Sequence, residues 1–434
     1  LREVSAILKI LCTADVHIGR RSSRLPTGVD PRAHSCAQAW VRIVDSALRE
    51  RVDLVLVAGD LIDRANRFFE AYGPLEAGLR RLSAAGVTTL MVAGNHDHAV
   101  LPLLVDEVAS DSVRLLGRGG RWERFTFERA GIRLHVDGWS FPREHHPSSP
   151  LPEYRPGQDG APVLALLHGD LEQPRSPYAP VSLAELRRHS GTAFVLGHVH
   201  LPREIREPGG ARMLYPGSPQ AMDPGERGAR GVSLLEWTGS GFLSTPIPIS
   251  TVRYDTLEVS VEGSVRLEEI DARIAGAVRD ELQRIAMSES SVVLGRFRIR
   301  LLGATPLHRE LDSRLLERSA ELQVEAGGIQ GSVESVEVAT TTPRDLAGLR
   351  GGSGAPAVLA TLVAGLEMDA TDAAIERLVA EAARAARSME RATVYLDVLE
   401  EVVGSAPGDR RVRESLAHAS SILLDELLGQ KEDR

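Results

Sequence analysis

Residues 87–97 read VTTLMVAGNHD, an apolar run of strand type that ends in Gly94, Asn95, His96 and Asp97. The same pattern recurs along the first half of the chain. Residues 7–13 run into Asp15 and His17, residues 54–58 into Gly59 and Asp60, residues 163–167 into His168, and residues 194–196 into Gly197, His198 and His200. Helical periods lie between several of these runs, as at 37–49 and 69–82. Short buried strands alternating with helices predict a layered α/β fold. In such folds the loops at the carboxyl ends of the strands share one rim, where ligands bind. Five polar clusters that are remote in sequence are therefore expected to meet.

The 434 residues, 43% of them hydrophobic, can bury a sizeable core and are expected to form about two or three domains. No run approaches the roughly 20 apolar residues of a membrane span, and the first residues lack the sections of a signal peptide, so a cytoplasmic location without membrane attachment is expected. Cys12 and Cys36 are the only cysteines, and two reduced structural thiols are the expectation. A net charge of -9 argues against nucleic-acid binding through bulk positive charge, though not against a local basic patch.

Beyond residues 245–251 the pattern changes. Strand-like periods at 252–261, 292–302 and 332–338 alternate with helical ones at 265–285 and 307–322, which reads as a small α+β domain. A Gly-rich stretch at 349–356 has linker composition. Helical periods follow at 357–366, 370–403 and 411–428, the last with an apolar stripe of Val412, Leu416, Ala419, Leu423 and Leu427.

Carboxylates, neutral imidazoles and an amide oxygen are the ligand set of divalent ions such as Mn²⁺. Asp15, His17, Asp60, Asn95, His168, His198 and His200 supply that set at successive strand ends, enough for two ions. Asp60 would bridge, with Asp15, His17 and His200 completing one site and Asn95, His168 and His198 the other. Paired ions lower the pKa of a water and neutralise charge on phosphoryl oxygens, which suits phosphoester hydrolysis. His96 would point across the site to stabilise the transition state or protonate the departing alkoxide. Asp97 would hold that imidazole in the required tautomer.

The ordered set Asp15-Val16-His17, Gly59-Asp60, Gly94-Asn95-His96-Asp97, His168-Gly169 and Gly197-His198-Val199-His200 resembles the five motifs of the calcineurin-like metallophosphoesterases. Three further features resemble the SbcD and YhaO-type DNA-repair exonucleases, relatives of the Mre-eleven nuclease. They are residues 14–19, residues 58–63, and the run 215–220 followed by Glu226, Gly228 and Gly231. The resemblance implies a four-layer α/β/β/α metallophosphoesterase core at 1–250, an α+β capping domain at 251–345, a linker at 346–356 and a helical segment at 357–434. It further implies a manganese-dependent 3′-to-5′ exonuclease, with endonuclease activity a further option, that binds DNA and docks on an SMC-like coiled-coil ATPase. A homodimer is left open. Asp63 stands where some of these relatives carry a second histidine, which suggests a supporting role beside the metals.

Arg20, Arg21, Arg24 and Arg32 could contact duplex phosphates or form a solvated loop. Glu144, His145 and His146 could make a third metal site or a DNA wedge, although exposed loop histidines are usually neither. His98 is assigned only a supporting hydrogen bond. Two other functions fit the chemistry less well. A small-molecule phosphodiesterase or nucleotidase would leave the extra domains without a use, and a non-catalytic DNA-end clamp would leave the complete ligand set and His96 without one.

Overall fold

The computed structural model describes residues 8–432 apart from 65–67, 109, 130, 158, 190, 207–211, 309, 312–321, 368–371 and 391–408. Internal contacts divide the chain into two compact units. The first is Leu1–Asp255 with Arg279–Phe297 and Gln323–Ser332, and the second is Thr256–Val278 with Arg298–Leu322 and Val333–Arg434.

The first unit is built on two six-stranded sheets. In one, β1 (Leu8–Thr13), β2 (Leu54–Ala58), β3 (Thr88–Val92) and β4 (Val113–Leu115) run parallel. That sheet is completed by antiparallel β11 (Gly231–Trp237) and β12 (Phe242–Pro248). The other has the order β5-β6-β7-β8-β10-β9, with β5 at Glu123–Arg129, β6 at Ile132–Trp139, β7 at Val163–His168, β8 at Thr192–Gly197, β9 at Arg203–Arg206 and β10 at Arg212–Tyr215.

Why the strands read as unbroken apolar runs is clear from where alternate residues go. Leu54, Leu56 and Ala58 join Ile10, Leu90, Val136, Leu164, Leu166 and Val195 in a seam between the two sheets. Val55 and Val57 face the other way, onto helices α1 (Cys36–Glu50), α2 (Phe68–Ala84) and α3 (Leu101–Val108) through Trp40, Ile43, Leu75, Leu79 and Leu104. Both faces are buried, so alternation of polar and apolar residues disappears. Burying one such leucine contributes about 1.5–3 kcal/mol. On the far side, Ala165, Leu167, Phe194 and Met213 pack under Tyr154 and under Leu186 of α4 (Leu183–Arg187), which completes the four layers α/β/β/α.

A third sheet has the order β13-β14-β16-β15, from β13 (Val252–Ser260), β14 (Leu294–Ala304), β15 (Gln323–Ala326) and β16 (Ile329–Thr341), with helix α5 at Leu267–Ser288. The expected linker at 346–356 holds a short helix at Leu346–Arg350, capped by Asp345, and a further helix starts at Ala355. Most of the helix expected at 307–322 and the end of that expected at 370–403 lie outside the described residues.

Helices Ala355–Glu367, Ala373–Glu390 and Asp409–Glu432 share an apolar cluster of Leu366, Ile375, Val379, Ala383 and Val412. The apolar stripe of the last helix needs correction. Leu423 is exposed, whereas Ser420, Ser421 and Leu424 are buried, so the inward row is 412, 416, 420 and 424. Serine is small enough to sit in a helix contact, and the Ser421 carbonyl also accepts a hydrogen bond of 2.6 Å from Arg344. Among the described residues no helix is long and apolar enough to cross a membrane.

Candidate metal centre

The five loops meet at the carboxyl ends of β1, β2, β3, β7 and β8. Asp15, His17, Asp60 and His198 all take up left-handed backbone conformations there, with φ of 51°, 51°, 49° and 90°. Non-glycine residues adopt such conformations at a cost and only where the surroundings enforce them, most often at functional sites. Two motif glycines have a direct steric reason. A Cβ on Gly94 would stand 2.1 Å from Asp60 Oδ1, and one on Gly197 would stand 1.9 Å from the Ala58 carbonyl. These ligand loops pack closely enough that only glycine fits beneath them.

Three groups of donor atoms lie within 4.8 Å of one another: Asp15, His17 and His200; His17, Asp60 and His96; and Asp15, Asp60 and His168. The carboxylate of Asp60 is common to two of them. Its Oδ2 lies 3.2 Å from His168 Nε2 and 3.9 Å from His17 Nε2. Asn95 Oδ1 lies 3.1 Å from His168 Nε2. His198 is in none of the three groups, but its ring centroid is 5.2 Å from that of His168 and its backbone N–H donates to Asp15 at 2.9 Å.

The orientation of each imidazole is set from outside the centre. His168 Nδ1–H donates to the Ala58 carbonyl at 3.0 Å. His200 Nδ1–H donates to Glu226 Oε1 at 2.5 Å. His198 Nε2 lies 3.3 Å from Asp170 Oδ2, which leaves Nδ1 as the nitrogen it can offer. His17 Nδ1 lies 3.4 Å from Asp63 Oδ1. Asp170 and Glu226 were not expected to hold these rings. Asp170 stands two residues after His168, and Glu226 stands in the run that carries the family resemblance.

These contacts test whether a cation fits. With Nδ1 committed to Ala58, a neutral His168 turns its Nε2 lone pair onto the oxygens of Asp60 and Asn95. The Nε2 atoms of His17 and His200 face one another at 3.2 Å. Lone pairs aimed at acceptors and at each other repel unless a proton or metal ion lies among them, so the donor set fits divalent ions. The protein's own electrostatics demand positive charge here as well. Burial disfavours the charged His168 ring, yet Asp60 and Asp15 outweigh it and hold its pKa up at about 9. Burial alone would raise Asp60, but His168 and His17 bring its carboxyl well below the usual range.

His96 lies at the edge of the centre, its side chain 32% exposed and its Nε2 4.0 Å from Asp60 Oδ2. The expected role of Asp97 is corrected. His96 Nδ1–H donates to the carbonyl of Asp63 at 2.6 Å, not to Asp97. Asp97 is buried and accepts from the amides of Leu61, Ile62 and Gly94, so it joins two ligand turns because backbone donors surround it on both sides. Asp63 thus supports two histidines, His17 with its side chain and His96 with its carbonyl. His98 Nδ1 bonds the Asn95 carbonyl at 3.1 Å.

Arg20, Arg21 and Arg32 line a cavity of about 240 Å³ that begins at Ile18, one residue beyond His17, while Arg24 is not in its lining. His146 packs on Trp139 and His145 stacks on Tyr178, and neither is in any donor group among the described residues.

Residues 8–204 match the family described as calcineurin-like phosphoesterase. Residues 8–204 thus carry a calcineurin-like metallophosphoesterase domain; members of that family are phosphoester hydrolases that hold a pair of divalent metal ions. Among curated proteins, the uncharacterized metallophosphoesterase YhaO of Bacillus subtilis is 29% identical over 237 residues, 53% of this chain and 58% of that protein. The DNA double-strand break repair protein Mre11 of Haloferax volcanii is 29% identical over 285 residues, 61% of this chain and 58% of that protein. The chain thus spans a little under three fifths of the length of these two relatives. A solved dimetal phosphatase from Danio rerio covers 52% of this chain and 92% of its own at 16% identity, with a TM-score of 0.35.

Proposed function

We propose that this chain is a DNA phosphodiesterase, a 3′-to-5′ exonuclease, that uses two Mn²⁺ ions and works in DNA repair with an SMC-like ATPase. The observation that carries the reading is the convergence of Asp15, His17, Asp60, Asn95, His168 and His200, with a cavity that begins one residue beyond His17 and is lined by Arg20, Arg21 and Arg32 together with Glu70. Relatives named as DNA double-strand break repair proteins support the choice of substrate. The ATPase partner rests on the family resemblance.

Asp15, His17 and His200 would hold one ion, Asn95, His168 and His198 the other, and Asp60 both. A bound pair would lower the pKa of a water and neutralise charge on the phosphoryl oxygens. The chain's own residues do the rest. Arg21 and Arg32, in the cavity lining, would offer guanidinium donors to a strand's phosphates. His96, with Nδ1–H committed to Asp63, presents Nε2 to the leaving oxygen, where a protonated ring would donate to the alkoxide as the bond breaks.

The test is incubation of the pure protein with Mn²⁺ and end-labelled single-stranded, duplex and hairpin DNA beside a small chromogenic phosphodiester, with and without a candidate ATPase. Shortening of labelled DNA from the 3′ end is expected. Turnover of the small ester alone would point instead to a small-molecule hydrolase, and no turnover of any substrate to a clamp.

A further inference from the structure

Residues 215–220 and Glu226 carry part of the family resemblance, yet none of them belongs to the three donor groups. What they touch is His200. The loop between β10 and β11 holds this residue at both its ring and its backbone. Glu226, only 8% exposed, accepts the Nδ1–H of His200 on Oε1 at 2.5 Å. Its Oε2 accepts the amide of Met222 at 2.7 Å and the hydroxyl of Ser218 at 3.3 Å, so the carboxylate cannot swing away without losing bonds at both oxygens. Arg230, 3% exposed, donates from Nη1 to the His200 carbonyl and from Nη2 to the Arg227 carbonyl at 3.0 Å. The His200 carbonyl also accepts the Ser218 amide at 2.9 Å. Gly217 passes beneath at φ 74°, where a Cβ would stand 2.4 Å from the same oxygen.

We propose that Glu226 and Arg230 are positioning residues of the metal centre: Glu226 locks the His200 ring in the Nδ1–H tautomer with Nε2 toward Asp15 and His17, and Arg230 anchors the backbone beneath it. This rests on the reading of Asp15, His17 and His200 as a cation site. An imidazole ligates through a lone pair, and a His200 ring protonated on Nε2 would offer none to that site. A carboxylate on the opposite nitrogen excludes that tautomer and makes the ligating nitrogen more basic. The buried carboxylate in turn requires a buried cation nearby, and Arg230, four residues on, supplies it. The chain carries Glu226 and Arg230 on one loop, so ring and backbone are aligned together.

The experiment is a titration of the metal-free full chain with Mn²⁺, with free ion read by electron paramagnetic resonance, for the wild type and Glu226→Gln. The wild type should take up two ions. Glu226→Gln should keep one at wild-type affinity and bind the other about 10- to 100-fold more weakly, with the circular dichroism of the metal-free protein unchanged. Two ions bound by the variant at wild-type affinity would overturn the proposal. Fewer than two bound by the wild type would remove the site reading itself, and this proposal with it. Should Glu226→Gln fail to fold, nitrogen-15 histidine spectra of the zinc-loaded wild type decide. A downfield Nδ1 proton on His200 is the expected signature, and an Nε2–H ring refutes the role.

Discussion

The buried carboxylate of Asp97 accepts the backbone N–H of Leu61 at 2.7 Å, and its other oxygen accepts that of Gly94 at 2.8 Å. One side chain thereby ties the turn that carries Asp60 to the turn that carries Asn95. In Asp97→Asn the amide group can accept on one side only, leaving a buried N–H without a partner. That costs about 1–3 kcal/mol. The unfolding free energy of the metal-free protein in urea should drop by this amount, and an unchanged midpoint would show that the tie does not matter.

Asp60 stands between His168 and His17, at 3.2 and 3.9 Å from their Nε2 atoms. Asp60→Ala is therefore expected to remove both metal ions together. Elemental analysis of the purified variant is the check. One ion retained at full occupancy would contradict a shared carboxylate.

His96 does not complete a cation site in the proposed assignment, and its ring is held by a backbone carbonyl. His96→Ala should leave metal content and DNA affinity close to wild type while cleavage slows by about 10²- to 10⁴-fold, the usual contribution of a general acid. Parallel filter-binding and cleavage assays separate the two effects. Cleavage at the wild-type rate would reject this role for the residue.

Metal uptake should be linked to protons. Without metal, His168 titrates near 9, so at neutral pH its ring is charged and must give up a proton before Nε2 can ligate. Apparent affinity should then rise with pH up to about 9 and level off above it, because only below that value does the metal compete with a proton. Calorimetric titration with Mn²⁺ in two buffers of different ionisation enthalpy should give different heats. Equal heats would mean that no proton is released.

Much of this protein is legible in its sequence. The runs at 54–58 and 87–93 announced strands because a strand between a second sheet and a helical layer must be apolar on both faces. The donors at their ends stood out because few other functions need Asp, Asn and His together after consecutive strands. The inward row of the last helix differs from its apolar stripe because periodicity counts apolar side chains, whereas packing also admits a side chain as small as serine.

What the sequence determined by itself is the inventory: which donors exist, which apolar runs carry them, and in what order. Which nitrogen each histidine turns inward was settled only in three dimensions. Ala58 meets His168 across 110 positions and Glu226 meets His200 across 26. Asp97 turned from His96 to the amides of Leu61 and Ile62 for the same reason. Hydrogen-bond partners of this kind depend on how strands from distant parts of the chain line up. Local composition does not encode that alignment.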